Sequence, residues 1–199
     1  MRSAFDKLIS WTGLALAAVL LAAAGLLAWA NTFIGDQVHD QLSMQGITMP
    51  AGDALAGIPK ADANILRQYS GSKLDTGVEA KAFADHYILV HMNEASQGQT
   101  YEEVSGQFIA MSDQQKASAE GQAMGQLRQT LFMGNTLRGL LLYGYAFATI
   151  GTIAGIAAMV SFAGAAVLLL LVGLGLWHAH RARVAERSVT ATTPLPAHA

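Results

Sequence analysis

The chain has 199 residues, 52% of them hydrophobic and 13% charged, with a formal net charge of −2 and a mean hydropathy of +0.33; an ordinary soluble domain carries about 25% charged residues. An isoelectric point of about 6.3 provides no basic field for a phosphate backbone, which argues against a nucleic-acid partner. With no cysteine, thiol catalysis, iron–sulfur and cysteine–zinc sites, lipobox acylation and disulfides are excluded together.

The charges are unevenly placed. No Asp, Glu, Lys or Arg occurs from Leu8 to Gly35 or from Gly139 to His180. In the first block Trp11 and Trp29 stand about 27 Å apart along a helix, close to a hydrocarbon thickness of roughly 30 Å, and indoles favour the water–lipid boundary. Residues 1–8 therefore read as a cytoplasmic N-terminus and 9–30 as a first transmembrane helix. Gly13, Ala17, Ala24 and Ala28, and separately Ala18, Ala22 and Gly25, form small-residue rows where another backbone can approach. The alternative is a cleaved signal peptide: Arg2 and Lys7 precede the apolar run, and Ala28-Trp29-Ala30 fits a cleavage site. An apolar region longer than the usual 7–15 residues favours a retained anchor.

Residues 31–136 read as a helical domain. Val38 and Leu42, four apart, extend the first helix to about Met44, and Pro50, Gly52, Gly57 and Pro59 break it. A short helix near Ala61–Tyr69 ends at Ser70-Gly71. Thr76 with Glu79 forms a capping box opening the clearest helix, which runs to about Ala95; Thr100 with Glu103 is a second, and Ser112 with Gln115 permits a restart. Tyr101, Val104, Phe108 and Met111, then Met124, Leu127 and Leu131, repeat at helical steps as stripes for burial.

The second charge-free block is about 63 Å long as helix, too long for one span, and it holds no Pro or Asn to turn a hairpin. It divides into an interfacial lead-in, 137–149, and a second transmembrane helix, 150–177, ending at Trp177. Gly144, Ala148, Gly151, Gly155 and Ala158 share one face, including a GxxxG, and form the candidate helix-packing face, toward the first span or a second copy of the chain. Residues 178–199 read as a basic, disordered cytoplasmic tail, with Arg181, Arg183 and Arg187 against Glu186. Between the spans, Asp36 to Arg138 holds 12 acidic and 7 basic residues. The positive-inside bias then puts both termini in the cytoplasm and the insert outside the cytoplasmic membrane.

The blocks Val38-His39-Asp40-Gln41-Leu42, Thr76 to Ile88, Thr100 to Ser105 and Thr136 to Leu141 resemble a family of small actinobacterial two-span membrane proteins of unassigned function. The resemblance covers most of the chain and implies the same topology with an extracytoplasmic helical insert; it implies no activity. Relatives are sometimes labelled aromatic ring-opening dioxygenases, a label for which this sequence shows no ligand set.

A non-haem iron site needs two His and a carboxylate that converge. His86 and His91, five apart, point about 140° away from each other on one helix. His91 pairs more readily with Glu94, and a further ligand such as His39 has to come from elsewhere. No catalytic, cofactor or metal residue is assigned. Glu79, His86 and Asn93, spaced by seven, form the candidate polar interaction face. Lys81 and Asp85 are an i, i+4 pair worth a few tenths of a kcal/mol. There is no phosphate loop, GxSxG or HExxH, and neither span contains a charge for an ion pathway. The expectation is an all-α, non-enzymatic membrane protein with two transmembrane helices and an extracytoplasmic helical domain between them, a structural or accessory subunit in contact with lipid and with a membrane-protein partner or itself. The alternatives are an extracytoplasmic small-ligand-binding or sensing module working through a partner and, third, a metal-dependent enzyme.

Overall fold

The computed structural model describes residues 2–191. It is all-α, with no strand among the described residues: α1 (Arg2–Ser43), a 310 turn (Gly52–Leu55), α2 (Lys60–Arg67), α3 (Gly77–Phe83) continuing through a π-helical segment (Ala84–Ile88) into α4 (Leu89–Ser96), then α5 (Tyr101–Ala110), α6 (Asp113–Lys116) and α7 (Ala119–Ala191). Two compact units result. One contains the chain up to Asn31 and from Ile153 onward; the other is Thr32–Thr152.

In the first unit, α1 and α7 run antiparallel, with Ser10 beside Gly175, Gly13 beside Val172, Leu20 beside Gly164 and Asn31 beside Gly155. The buried residues recur at seven: Ser10, Ala17 and Ala24 on α1, and Ala158, Ala165 and, fourteen further on, Ala179 on α7. A seven-residue seam is the signature of two helices that coil around each other. Alanine and glycine on it let the backbones approach closely, and a side chain at Gly13 would collide with Val172. Of the two small-residue rows on α1, Gly13, Ala17 and Ala24 line this seam, while Ala18, Ala22 and Gly25 face outward. The outer surface is apolar: Val19 is 65% exposed, Leu26 68%, Val160 67% and Leu170 68%. Both α1 and α7 are long and apolar enough to cross a membrane.

In the second unit, the loops on either side of α2 are pinned by an isolated antiparallel bridge between Thr48 and Lys73, with Met49 N–H donating to Ser72 O at 2.8 Å and Leu74 N–H to Ile47 O at 2.9 Å. Gly71, at φ +76°, makes the turn a side chain would strain. Leu42, Met49, Leu66, Leu74, Ala80 and Leu141 anchor one core, and Met92, Val104 and Leu131 a second. All three capping boxes form, at Thr76/Glu79, Thr100/Glu103 and Ser112/Gln115. The third opens only a single turn, α6, before α7 begins at Ala119.

The expected lead-in at 137–149 and span at 150–177 both lie on α7, which passes through them without interruption. It contains no proline, and several of its glycines in this unit are covered by neighbours, Gly125 by Phe108, Gly134 by Met92 and Gly144 by Leu42, although Gly139 is open. The expected disordered tail from 178 is helical to Ala191, since Ala, Arg and Glu favour helix and the first proline is Pro194. Residues 192–199 of that tail lie outside the described residues.

Candidate functional site

The helix Gly77–Ser96 carries most of the polar side chains singled out in the sequence, and its π segment rearranges them. A π turn inserts one extra residue relative to the α repeat, so side chains beyond it are turned by roughly 100°. Glu79, His86 and Asn93 therefore do not share a face despite their spacing of seven. Glu79 is buried, 7% exposed, and is consumed at the helix start: its carboxylate accepts from Ser72 Oγ at 2.7 Å, Thr76 Oγ1 at 2.7 Å and the backbone N–H groups of Asp75 and Thr76. Burial pushes the Glu79 carboxyl up, but these four donors outweigh it and hold the pKa below the usual glutamate value. His86 turns toward α2, with Nδ1 2.7 Å from Asp62 Oδ1. Asn93 is exposed.

At the π segment, Asp85 accepts from Lys81 Nζ at 2.5 Å and from Arg138 Nη2 at 2.9 Å. Arg138 also donates from Nε to the Ala84 carbonyl at 3.0 Å, the same oxygen that takes the widened i to i+5 bond from Leu89 N–H. Burial raises the Asp85 carboxyl, and the bonds and charges of Lys81 and Arg138 more than reverse this, leaving it below the ordinary aspartate value. A carboxylate saturated with cationic donors and held in its ionised form is a poor proton acceptor near neutral pH. The group serves as a fastener between α7 and the π turn. Lys81–Asp85 is visible in the sequence as a local pair, whereas Arg138 and Asp62 are not, because neither is near its partner in the chain.

His39 faces Asp75, Nδ1 to Oδ2 3.7 Å, rather than either helix histidine. His91 pairs with Glu94 at 3.6 Å and packs edge-on against Tyr87. Among the described residues, no three His, Cys, Asp or Glu side chains gather so as to hold a metal ion.

The candidate packing face falls in both units. In the second, Gly144 meets Leu42, and Gly77 sits so close to Ala148, Tyr145 and the Gly144 carbonyl that any side chain there would clash; Gly151 is buried. In the first, Gly155 meets the Asn31 amide and Ala158 is buried. The face is used within one chain. In the second unit, a groove of about 530 Å³ lies between α1 and α7, with Gln37, Gln41 and Gln45 on one wall and Leu140, Tyr143 and Phe147 on the other. A smaller cavity of about 250 Å³ in the first unit is lined by Ser10, Gly13, Val172 and His178.

No family model, curated protein or solved structure matches the chain.

Proposed function

We propose that this chain is an integral protein of the cytoplasmic membrane, with spans at 9–30 and 150–177, both termini in the cytoplasm and the helices of 31–136 on the outer side. It acts as a non-enzymatic structural or accessory subunit whose helical insert makes protein contacts near the membrane. The observation carrying the reading is the outward surface of the α1/α7 pair. Its apolar side chains, from Leu8 to Trp29 and from Ile153 to Trp177, are more than half exposed in many cases, at a length suited to a bilayer. Arg181 stacks over Trp177 at 4.2 Å, the arrangement of an interfacial anchor.

The internal partners of Glu79, Asp85 and His86 support a structural role for the insert over catalysis. Kinship with small actinobacterial two-span proteins belongs to the same proposal. The ligand-binding alternative is favoured by one observation, the groove between α1 and α7. Alkaline carbonate extraction followed by affinity purification in mild detergent tests the main reading. The chain is expected to stay in the pellet and to co-purify with a stoichiometric membrane protein or a second copy; release into the supernatant contradicts it.

A further inference from the structure

The groove of the second unit joins two unlike walls. On α1, Gln37 and Gln41 lie four apart on one face, with Gln45 following in the turn after Ser43; Gln41 Nε2 donates to Gln37 Oε1 at 3.3 Å. On α7, Leu140, Tyr143, Phe147 and Ile150 are more than half exposed. No charged side chain lines it. We propose that this groove binds an uncharged membrane lipid, its acyl chain along the α7 wall and its hydroxyl, ester or amide end on the glutamine amides.

Charge and size select this occupant. A wall of primary amides offers both donors and acceptors but no counter-ion, so it suits a neutral polar end and gives no advantage to a phosphate or carboxylate. From Ile34 to Leu42 the groove runs about 12 Å along α1, and Gln45 extends it in the turn that follows. A hydrocarbon chain is much thinner than a helix of about 10 Å diameter and takes up less of the groove. The volume also falls within the range of about 300–1,000 Å³ usual for small-ligand sites. Gly144 leaves the floor bare where a larger residue would stand against Leu42.

Direction follows from the sequence, and this step rests on the membrane reading. Phe33 and Ile34 come three and four residues after the 9–30 span, Ile150 is the first residue of the other span, and the glutamines extend away from both. A lipid with its chain at Phe33, Phe147 and Ile150 and its polar end at Gln41 and Gln45 points the same way as its neighbours in the outer leaflet.

The test uses the full chain in vesicles of phosphatidylethanolamine and phosphatidylglycerol, with a trace of diacylglycerol carrying a diazirine in one acyl chain. Adducts mapped by mass spectrometry are expected to concentrate in 33–45 and 140–150. A tenfold excess of plain diacylglycerol should suppress them at least fivefold, and added phosphatidylglycerol or fatty acid should not. Gln37→Leu combined with Gln41→Leu replaces exposed side chains, so the fold should persist while suppression disappears; Tyr143→Ala should weaken labelling of the same peptides. Adducts spread evenly over 9–30 and 150–177 without competition overturn the lipid site and leave the membrane reading intact. Equal suppression by phosphatidylglycerol, or crosslinks between two chains that shield 33–45, also overturn it. Labelling nowhere on the chain overturns both.

Discussion

Arg138 and Asp85, 53 residues apart in sequence, meet at 2.9 Å, and the same guanidinium bonds the Ala84 carbonyl at 3.0 Å. One side chain thus ties α7 to both a charge and a backbone oxygen of the π turn. Both partners are about a fifth exposed, so water screens the pair only partly. Arg138→Ala leaves Asp85 with Lys81 alone and strips a donor from the widened turn. The expected loss is about 1–3 kcal/mol, read as a lower thermal midpoint of helical circular dichroism in detergent. Arg138→Lys keeps the charge but not the fork and should recover less than half. A midpoint equal to wild type in Arg138→Ala contradicts this role.

Acid should weaken the second unit. Glu79 and Asp85 both have folded pKa values below their ordinary ones, despite burial acting the other way. Their contribution is complete above the unfolded carboxylate range near pH 4 and is lost as pH falls through the lower folded values. Thermal midpoints should be flat from about pH 7 to 5 and fall between about pH 4 and 2. Glu79→Gln should lower the neutral-pH midpoint and shrink the acid-induced drop; an unchanged drop in a Glu79→Gln, Asp85→Asn double variant would contradict the assignment.

Two glycines should respond in opposite directions to alanine. Gly77 faces the Ala148 side chain and the Tyr145 backbone, neither able to yield cheaply, so Gly77→Ala should cost more than about 1 kcal/mol. Gly106 lies within α5 with nothing near the position of a Cβ, so Gly106→Ala should stabilise by up to about 1 kcal/mol through helix propensity. Urea or thermal unfolding of the two variants side by side decides the matter.

The α1/α7 seam makes a paired prediction within the first unit. Ala17 is fully buried and Ala18 exposed, one residue apart. Ala17→Leu should force the helices apart and lower the thermal midpoint in detergent, whereas Ala18→Leu should be near neutral. Equal effects would mean that this seam is not the contact.

Local signals were legible in the sequence and distant ones were not. Each capping box is a contact between residues three apart, so Thr76/Glu79, Thr100/Glu103 and Ser112/Gln115 could be read directly. The two small-residue rows on α1 could be found, but which of them faces α7 depends on the partner helix. The π turn at Ala84–Ile88 has no glycine or proline to announce it, and Arg138, which bonds its first carbonyl, comes from another element; this is why Glu79, His86 and Asn93 looked aligned. His86 and Asp62, 24 residues apart, illustrate the same limit.

The proposed two-span topology, with residues 31–136 outside, can be tested by single-cysteine labelling in a chain without native cysteine. Gln107→Cys, on an exposed position of α5, and Ser188→Cys are expressed separately and treated in intact cells with a membrane-impermeant maleimide. The cysteine at 107 is expected to be labelled at once and the one at 188 only after permeabilisation. Labelling of 188 in intact cells with 107 protected, or labelling of both, would contradict it.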